Sequence, residues 1–443
     1  MWKKITLGVL AVVCIVLIVY RCVNVSPDKT LTADEQALAI LESGKCTMCH
    51  AQEPELPFYS KWPIIGKTVT NDAMLAARHI DLIPAIEALR AGEAVDIVSL
   101  NKIESSIANG TMPLTKFNVM HWGAAINSTE RNMILAWVYN TREKEGHTLQ
   151  GIPITLTSRA LTDEAKVALG RILYNDTRLS GDNTVSCATC HNLDKGGCDN
   201  LQYSEGIRGQ FGGVNAPTVF NAVFNFAQFW DGRAKTLADQ AAGPPLNPIE
   251  MGSASFDEII AKLAADEELT AQFTAAYPEG WSAYNICNAI QEYEYTLVTP
   301  NSPFDRYLLG DEEAMSADAV AGYDLFKANR CATCHAGINM GGQSYEHLGL
   351  YADYFADRGT ELTEEDFGRG KQEESAYYDH RFKTPTLRNV ALTAPYYHDG
   401  SIDNLSEAIT SMMKYQVGKT LTEKETAQMK AFLESLTGEI PAK

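Results

Sequence analysis

The chain has 443 residues, 45% of them hydrophobic, and a net charge of −19. Its apolar content excludes a disordered chain, and so acidic a balance excludes nucleic acid as a partner, because phosphate binding needs basic patches. The length allows about three domains.

Lys3 and Lys4 precede an unbroken apolar run from Ile5 to Tyr20, which Arg21 closes. The run ends without the small residues of a signal cleavage site. It therefore reads as an uncleaved N-terminal transmembrane helix over residues 1–24, with cleavage as the alternative. On that reading the protein is held at the bacterial inner membrane and the bulk of the chain faces the periplasm.

Three segments follow. The capping box Thr32-x-x-Glu35 opens the amphipathic stretch Gln36 to Glu42, which leads to Cys46-Thr-Met-Cys49-His50. Ser128-Thr129-Glu130 then begins a closing helix through Met133 to Tyr139, completing a domain over 25–150. Gly146 to Arg159, rich in Thr, Gly and Pro, reads as a linker. Leu161 to Tyr174 leads to Cys187-Ala-Thr-Cys190-His191 in a second domain over 155–310. Gly322 to Ala328 leads to Cys331-Ala-Thr-Cys334-His335 in a third over 311–443, which ends on the capping box Thr422-x-x-Glu425.

Cys-x-x-Cys-His, present three times, is the attachment signature of c-type haem. Two thiols become thioethers to the porphyrin and the adjacent His becomes the proximal iron ligand. Structural zinc would need a second Cys or Cys/His pair for every one of these, and the His directly after each pair argues against it. The cofactors expected are three covalently bound haem c groups, in a mainly α fold of three cytochrome c-like haem domains behind the N-terminal helix. Of the cysteines left over, Cys198 and Cys287 could pair or stay as buried thiols.

The sixth ligand decides what each haem does: a Met or His makes an electron carrier, an open position a reaction site. For the first haem the leading candidate is Met112, beside Pro113 after a Gly turn, with His79, Met120 and His121 as rivals. The second haem has no His between His191 and His347, and its nearest Met is Met251. That scarcity points to an open iron. For the third haem, Met412 and Met413 follow His398-Asp-Gly-Ser401.

Residues 155 to 443 carry Asn215-Ala-Pro-Thr-Val-Phe-Asn-Ala-Val-Phe-Asn-Phe-Ala-Gln-Phe-Trp-Asp-Gly-Arg233, Asn247-Pro-Ile-Glu-Met251, Lys383-Thr-Pro-Thr-Leu-Arg-Asn389 and Pro395-Tyr-Tyr-His-Asp-Gly-Ser401. With these motifs the segment closely resembles the bacterial dihaem cytochrome c peroxidases, and the extra N-terminal haem unit makes the whole chain similar to the trihaem, membrane-anchored quinol peroxidase branch. The resemblance implies a periplasmic enzyme that reduces hydrogen peroxide to water at the His191 haem. Glu250 would be the acid/base residue, Gln240 its neighbour, and Trp230 the indole between two haems. Met412 would be the axial ligand of the higher-potential His335 haem, since Met412-x-x-x-Gln416-Val417-Gly418 follows the family pattern. A calcium ion would take the Asn215 side chain and the carbonyls of Thr393 and Pro395. Electrons would come from a membrane quinol or a small cytochrome c, and a homodimer is one assembly the family allows. One departure stands out: relatives that rest inactive carry an iron-capping His eight positions before the Asn of Asn-x-Pro-Thr, and here that position is Ile207. Two other functions fit three haems: a multihaem electron carrier, and the methylamine-utilisation type of dihaem enzyme, which oxidises residues of a partner protein and uses Tyr in place of the axial Met. Tyr415 keeps the latter open.

Overall fold

The computed structural model describes residues 2–63, 65–145, 151–158 and 162–441. It divides into two compact units, Met1–Leu149 and Gln150–Lys443. Both are helical. Among the described residues the one sheet is a two-stranded antiparallel ribbon, Tyr345–His347 with Arg381–Lys383, in the register Tyr345 to Lys383.

Each Cys-x-x-Cys-His is preceded by a capped helix that packs on a later helix. In the first unit Thr32 and Glu35 form the expected capping box on Ala33–Ser43, which packs on Ser128–Lys144. That second helix is capped by Asn127 with Glu130. In the second unit Glu164–Tyr174 crosses Ala283–Glu294, and Ala317–Ala328 crosses Glu423–Glu434. The two crossings share one device. A Cβ on Gly170 would lie 1.8 Å from the Ala289 carbonyl oxygen, and one on Gly322 would lie 2.0 Å from that of Gln428. Only glycine lets the backbones meet so closely, and the Cβ of an aromatic residue, Tyr293 or Phe432, abuts each contact. In the first unit Ala37, fully buried, is the small residue on the leading helix.

The second unit is pinned by a buried pair. Arg388 Nη1 lies 2.7 Å from Asp305 Oδ1, with both side chains essentially unexposed. Asp305 also accepts the Ile154 N–H and the Ser302 N–H and hydroxyl, while Arg388 donates to the carbonyls of Ile152 and Ile338. The described end of the expected linker is thereby fixed to this unit: Ile154 is fully buried. Residues 146–150 and 159 of that stretch lie outside the described residues.

The N-terminal anchor is not supported. Trp2–Val23 is helical, but no helix among the described residues is long and apolar enough to cross a membrane. The reason is arithmetic: the charge-free run between Lys4 and Arg21 gives about 24 Å of helix at about 1.5 Å per residue, short of the roughly 30 Å hydrocarbon layer. The inner-membrane location inferred from that anchor falls with it.

Candidate haem and peroxide site

The three Cys-x-x-Cys-His segments fold alike. Each is one tight turn in which the His N–H donates to the first Cys carbonyl, at 3.0 Å for His50, 2.9 Å for His191 and 3.0 Å for His335. Each imidazole then meets a carbonyl through Nδ1: Ala76 at 3.2 Å, Pro217 at 3.1 Å and Met340 at 3.3 Å. Burial depresses the pKa of all three rings. A neutral imidazole that donates from Nδ1 keeps its lone pair on Nε2, which is the form an iron ligand needs. Burial also pushes the leading thiols up, Cys46 and Cys331 to about 12 and Cys187 further. Among the described residues no group of three or more His, Cys, Asp or Glu comes together to hold a metal ion, so none of these turns has the four ligands of a structural zinc site. The residues present therefore fit haem c at all three places.

Beside the second of these turns, the segment Asn247–Met251 presents Glu250. Asn247 Nδ2 donates to Glu250 Oε1 at 2.9 Å, and the Ile207 N–H donates to the Glu250 carbonyl at 2.9 Å. Gly206 lets the two loops touch, since a Cβ there would sit 2.0 Å from the Ile249 oxygen. Burial raises the Glu250 pKa above its usual value, against the opposing pull of Arg233 and the Asn247 hydrogen bond. Arg233 lies flat over the Phe229 ring at 3.5 Å and is held by Asp231 at 3.0 Å. Gln240 sits at the end of the short helix Leu237–Ala241. Its carbonyl accepts the Gly243 N–H, and Gly243 in turn approaches the Phe229 ring. Arg233 thus acts on Glu250 electrostatically and packs on Phe229, while Gln240 approaches Phe229 only through the backbone of its own turn.

Ile207 points inward. It is 1% exposed, and a Cβ on Gly252 would meet its Cδ1 at 2.2 Å. Met251, the nearest methionine in sequence, is likewise core.

Trp230 joins two regions of this unit. It lines a cleft with Pro217, Phe229, Arg233 and Glu365, and Pro217 is the residue whose carbonyl holds His191. Its indole N–H donates to the Asn215 carbonyl at 2.8 Å, while its own carbonyl accepts the Lys383 N–H at 2.8 Å. The ring meets Phe382 and His398 edge-on, each at 6.4 Å. His398 Nε2 is 2.8 Å from Asp366 Oδ1. Burial pushes Asp366 up, but Arg358, the Thr363 N–H and His398 outweigh it and hold the carboxyl well below its usual range. The Pro395–Ser401 motif thus builds a buried charged wall behind Trp230. Met412 ends the helix Leu405–Met412 and packs in the cluster that also takes in Trp230, Phe382 and Tyr397. Gln416 fastens the turn after it, accepting the N–H groups of Gly349 and Leu350 and donating to the His347 carbonyl.

In the first unit Met112 is half-buried in the loop after Ile97–Ala108. His79 lies one turn beyond Ala76 on the helix Ile65–His79, the same helix whose carbonyl holds His50. That is the proximal side, whereas a sixth ligand must come from the opposite face. Met120 is exposed. His121 stacks on Phe117 at 4.2 Å and lies 3.2 Å from the Tyr59 hydroxyl. At the expected calcium position, Asn215 Nδ2 donates to the Leu201 carbonyl. Asn200 Nδ2 takes the alternate carbonyls of Leu392 and Ala394. No group of three or more His, Cys, Asp or Glu among the described residues could hold a metal, so a cation there would rely on amide and carbonyl oxygens. Cys198 and Cys287 are both free and buried; the Cys198 thiol donates to the Lys195 carbonyl.

A helical protein with half-buried Cys-x-x-Cys-His turns and a raised carboxyl beside one of them is a haem-dependent redox protein. Residues 164–313 match the di-haem cytochrome c peroxidase family and residues 12–140 match a haem-binding domain. A cytochrome c peroxidase of Escherichia coli K12 is 46% identical over 426 residues, covering 92% of this chain and 90% of its own. The cytochrome c551 peroxidase of Nitrosomonas europaea is 41% identical over 292 residues, 65% of this chain and 85% of its own. In three dimensions the chain is similar to a MauG-like protein associated with microbial copper homeostasis, with TM-score 0.56 and 28% identity, covering 66% of this chain and 95% of that one. The chain belongs to the di-haem cytochrome c peroxidase family and is a haem-dependent peroxidase.

Arg233, Asn247, Gly206 and the Pro217 carbonyl did not emerge from sequence reasoning. Arg233 stands at the end of a motif that was visible. Asn247 likewise opens a visible motif and acts through its side-chain amide, whereas Gly206 and the Pro217 carbonyl act through the backbone, which leaves no residue-type signal.

Proposed function

We propose that the chain binds three haem c groups, through Cys46/Cys49/His50, Cys187/Cys190/His191 and Cys331/Cys334/His335, and reduces hydrogen peroxide at the His191 haem. Residues 25–150 would hold one haem, 155–310 the peroxidatic one and 311–443 the electron-transfer one. The observation that carries this reading is Glu250, a carboxyl of raised pKa fixed by Asn247 and Ile207 on the loop beside the His191 turn. When bound there, haem supplies a redox-active iron with a coordination position for peroxide. Glu250 as carboxylate takes the proton from the inner peroxide oxygen and returns it to the outer one, which leaves as water when the O–O bond breaks. Two electrons and two further protons convert the other oxygen to a second water. Gln240 and Arg233 keep the pocket polar, and the Arg233 cation favours the ionised form of Glu250.

Trp230 would lie on the electron route from a haem held by Cys331, Cys334 and His335, for which Met412 is the candidate sixth ligand, and a haem held by Cys46, Cys49 and His50, with Met112 as its candidate, would refill that one. The donor we favour is a small c-type cytochrome; the quinol alternative rested on the anchor. A calcium ion would lie at Asn215, Thr393 and Pro395. Oxidation of a partner protein with a tyrosine ligand is the weaker reading, because the Tyr415 hydroxyl is engaged by Asp357 at 3.1 Å and by Lys414. Mass spectrometry of the holoprotein, followed by peroxide turnover with reduced cytochrome c, tests the proposal. Three haems and stoichiometric donor oxidation are expected; two haems, or no peroxide consumption, would sink it.

A further inference from the structure

An ammonium group is not stable inside a protein without an anion beside it. Lys383 is 6% exposed, yet its Nζ has no hydrogen-bond or ion-pair partner among the described residues, and burial alone pulls its pKa down to about 8 with no carboxylate opposing the shift. The acid closest along the ribbon, Glu346, pairs with Phe382 and so points to the other face. It accepts a hydrogen bond from the Ser344 hydroxyl. No described residue supplies a counter-ion for Lys383.

The position of Lys383 says where that anion belongs. Its N–H is bound to the Trp230 carbonyl, and two residues later the Pro385 carbonyl bears on the half-buried His335 imidazole. The stretch 383–385, later in the chain than both, thus links Trp230 to the third Cys-x-x-Cys-His in space. A c-type haem carries two propionate carboxylates, and they are the anions its binding would bring. We propose that Lys383 forms an ion pair with a propionate of the haem held by Cys331, Cys334 and His335, and thereby raises the reduction potential of that haem. An unpaired propionate favours the oxidised iron, which carries one more positive charge; a cation on the propionate cancels that preference. The proposal rests on His335 being a haem ligand.

The test uses the full-length holoprotein with Lys383→Met, Lys383→Gln and Lys383→Arg. Haem content is counted by mass spectrometry and the midpoint potentials are read by optical redox titration. The expected result is three haems in each variant, a lower potential for one low-spin haem in the Met and Gln variants, the other two unmoved, and the wild-type value kept by Arg. Should Met and Gln lose one haem while Arg keeps it, the same need for charge is shown. Unchanged potentials in Met and Gln overturn the proposal, as does a shift confined to the high-spin haem. So does an Arg variant displaced, or stripped of haem, as far as the Met variant. A wild-type protein with only two haems would instead overturn the reading of the His335 site.

Discussion

Replacing Glu250 by Gln isolates proton transfer from everything else the loop does. The Gln side chain keeps the shape, and its carbonyl oxygen can still accept from Asn247 Nδ2, now at 2.9 Å. The Ile207 N–H remains on the backbone carbonyl of residue 250, also at 2.9 Å, so the loop should not move. What disappears is the basic oxygen. Positioned acid/base catalysis is worth about 10²–10⁴-fold, or about 2.7–5.5 kcal/mol at 1.36 kcal/mol per decade. Steady-state peroxide turnover should fall by about that range with haem content unchanged. The pH profile gives a second readout. Burial raises the Glu250 pKa above its usual value of 4.5, and the reaction needs the ionised form. Wild-type kcat/KM should therefore fall on the acid side with an apparent pKa above that value, and the limb should vanish in Glu250→Gln. A variant within tenfold of wild type, or one that retains the acid limb, would show that the carboxyl is a bystander.

Three further outcomes follow from single contacts. Because Ile207 is core and has no lone pair, the oxidised holoprotein should contain a high-spin haem by EPR and react with peroxide without prior reduction; a purely low-spin spectrum would count against this. Asp305→Ala strands Arg388 in a site where neither is exposed, which should cost about 3–5 kcal/mol in denaturant unfolding, and a loss under 1 kcal/mol would refute the pinning role. Burial raises Glu294 to about 8 from 4.5, and its Oε2 has no partner. The folded state then holds this proton where the unfolded chain has lost it, so stability is full below about 4.5 and declines as pH rises through 8, by at most about 5 kcal/mol at about 1.4 per pKa unit. Glu294→Gln should remove that decline, and equal pH slopes in the two proteins would refute it.

What the sequence disclosed was chemistry written in residue types at short spacing. Cys-x-x-Cys-His and the Thr32 and Thr422 capping boxes are local, and the structure forms both boxes. Glu250 came from a long motif whose meaning is not local, and its environment was invisible. The Asn247 amide is three residues away, but the Ile207 N–H comes from 43 positions earlier in the chain. The Pro217 carbonyl that orients His191 has no side-chain signature at all. The anchor misled for a physical reason: an apolar run signals burial somewhere, and only its length between charges tells a membrane from another environment. The linker was legible as the stretch in which the two units divide, but its contacts were not. Thr, Gly and Pro described its composition, while Ile154 was the residue that mattered, because its N–H completes Asp305.

Ile207 and Glu250 are best understood as one element. The loop 205–209 must turn sharply, and Arg208 and Gly209 both take positive φ to do it, at 59° and 69°. That turn sends the Ile207 side chain into the core and its N–H onto the Glu250 carbonyl. A polar side chain at 207 would be drawn out of an apolar interior, and the N–H would leave with it. The apolar residue therefore does more than fail to cap an iron. It holds the loop in the one arrangement that braces Glu250, with Gly206 and Gly252 giving up their side chains to make room. On the proposed mechanism, readiness for peroxide and correct placement of the base would have the same cause, and no separate switch would be needed to bring them together.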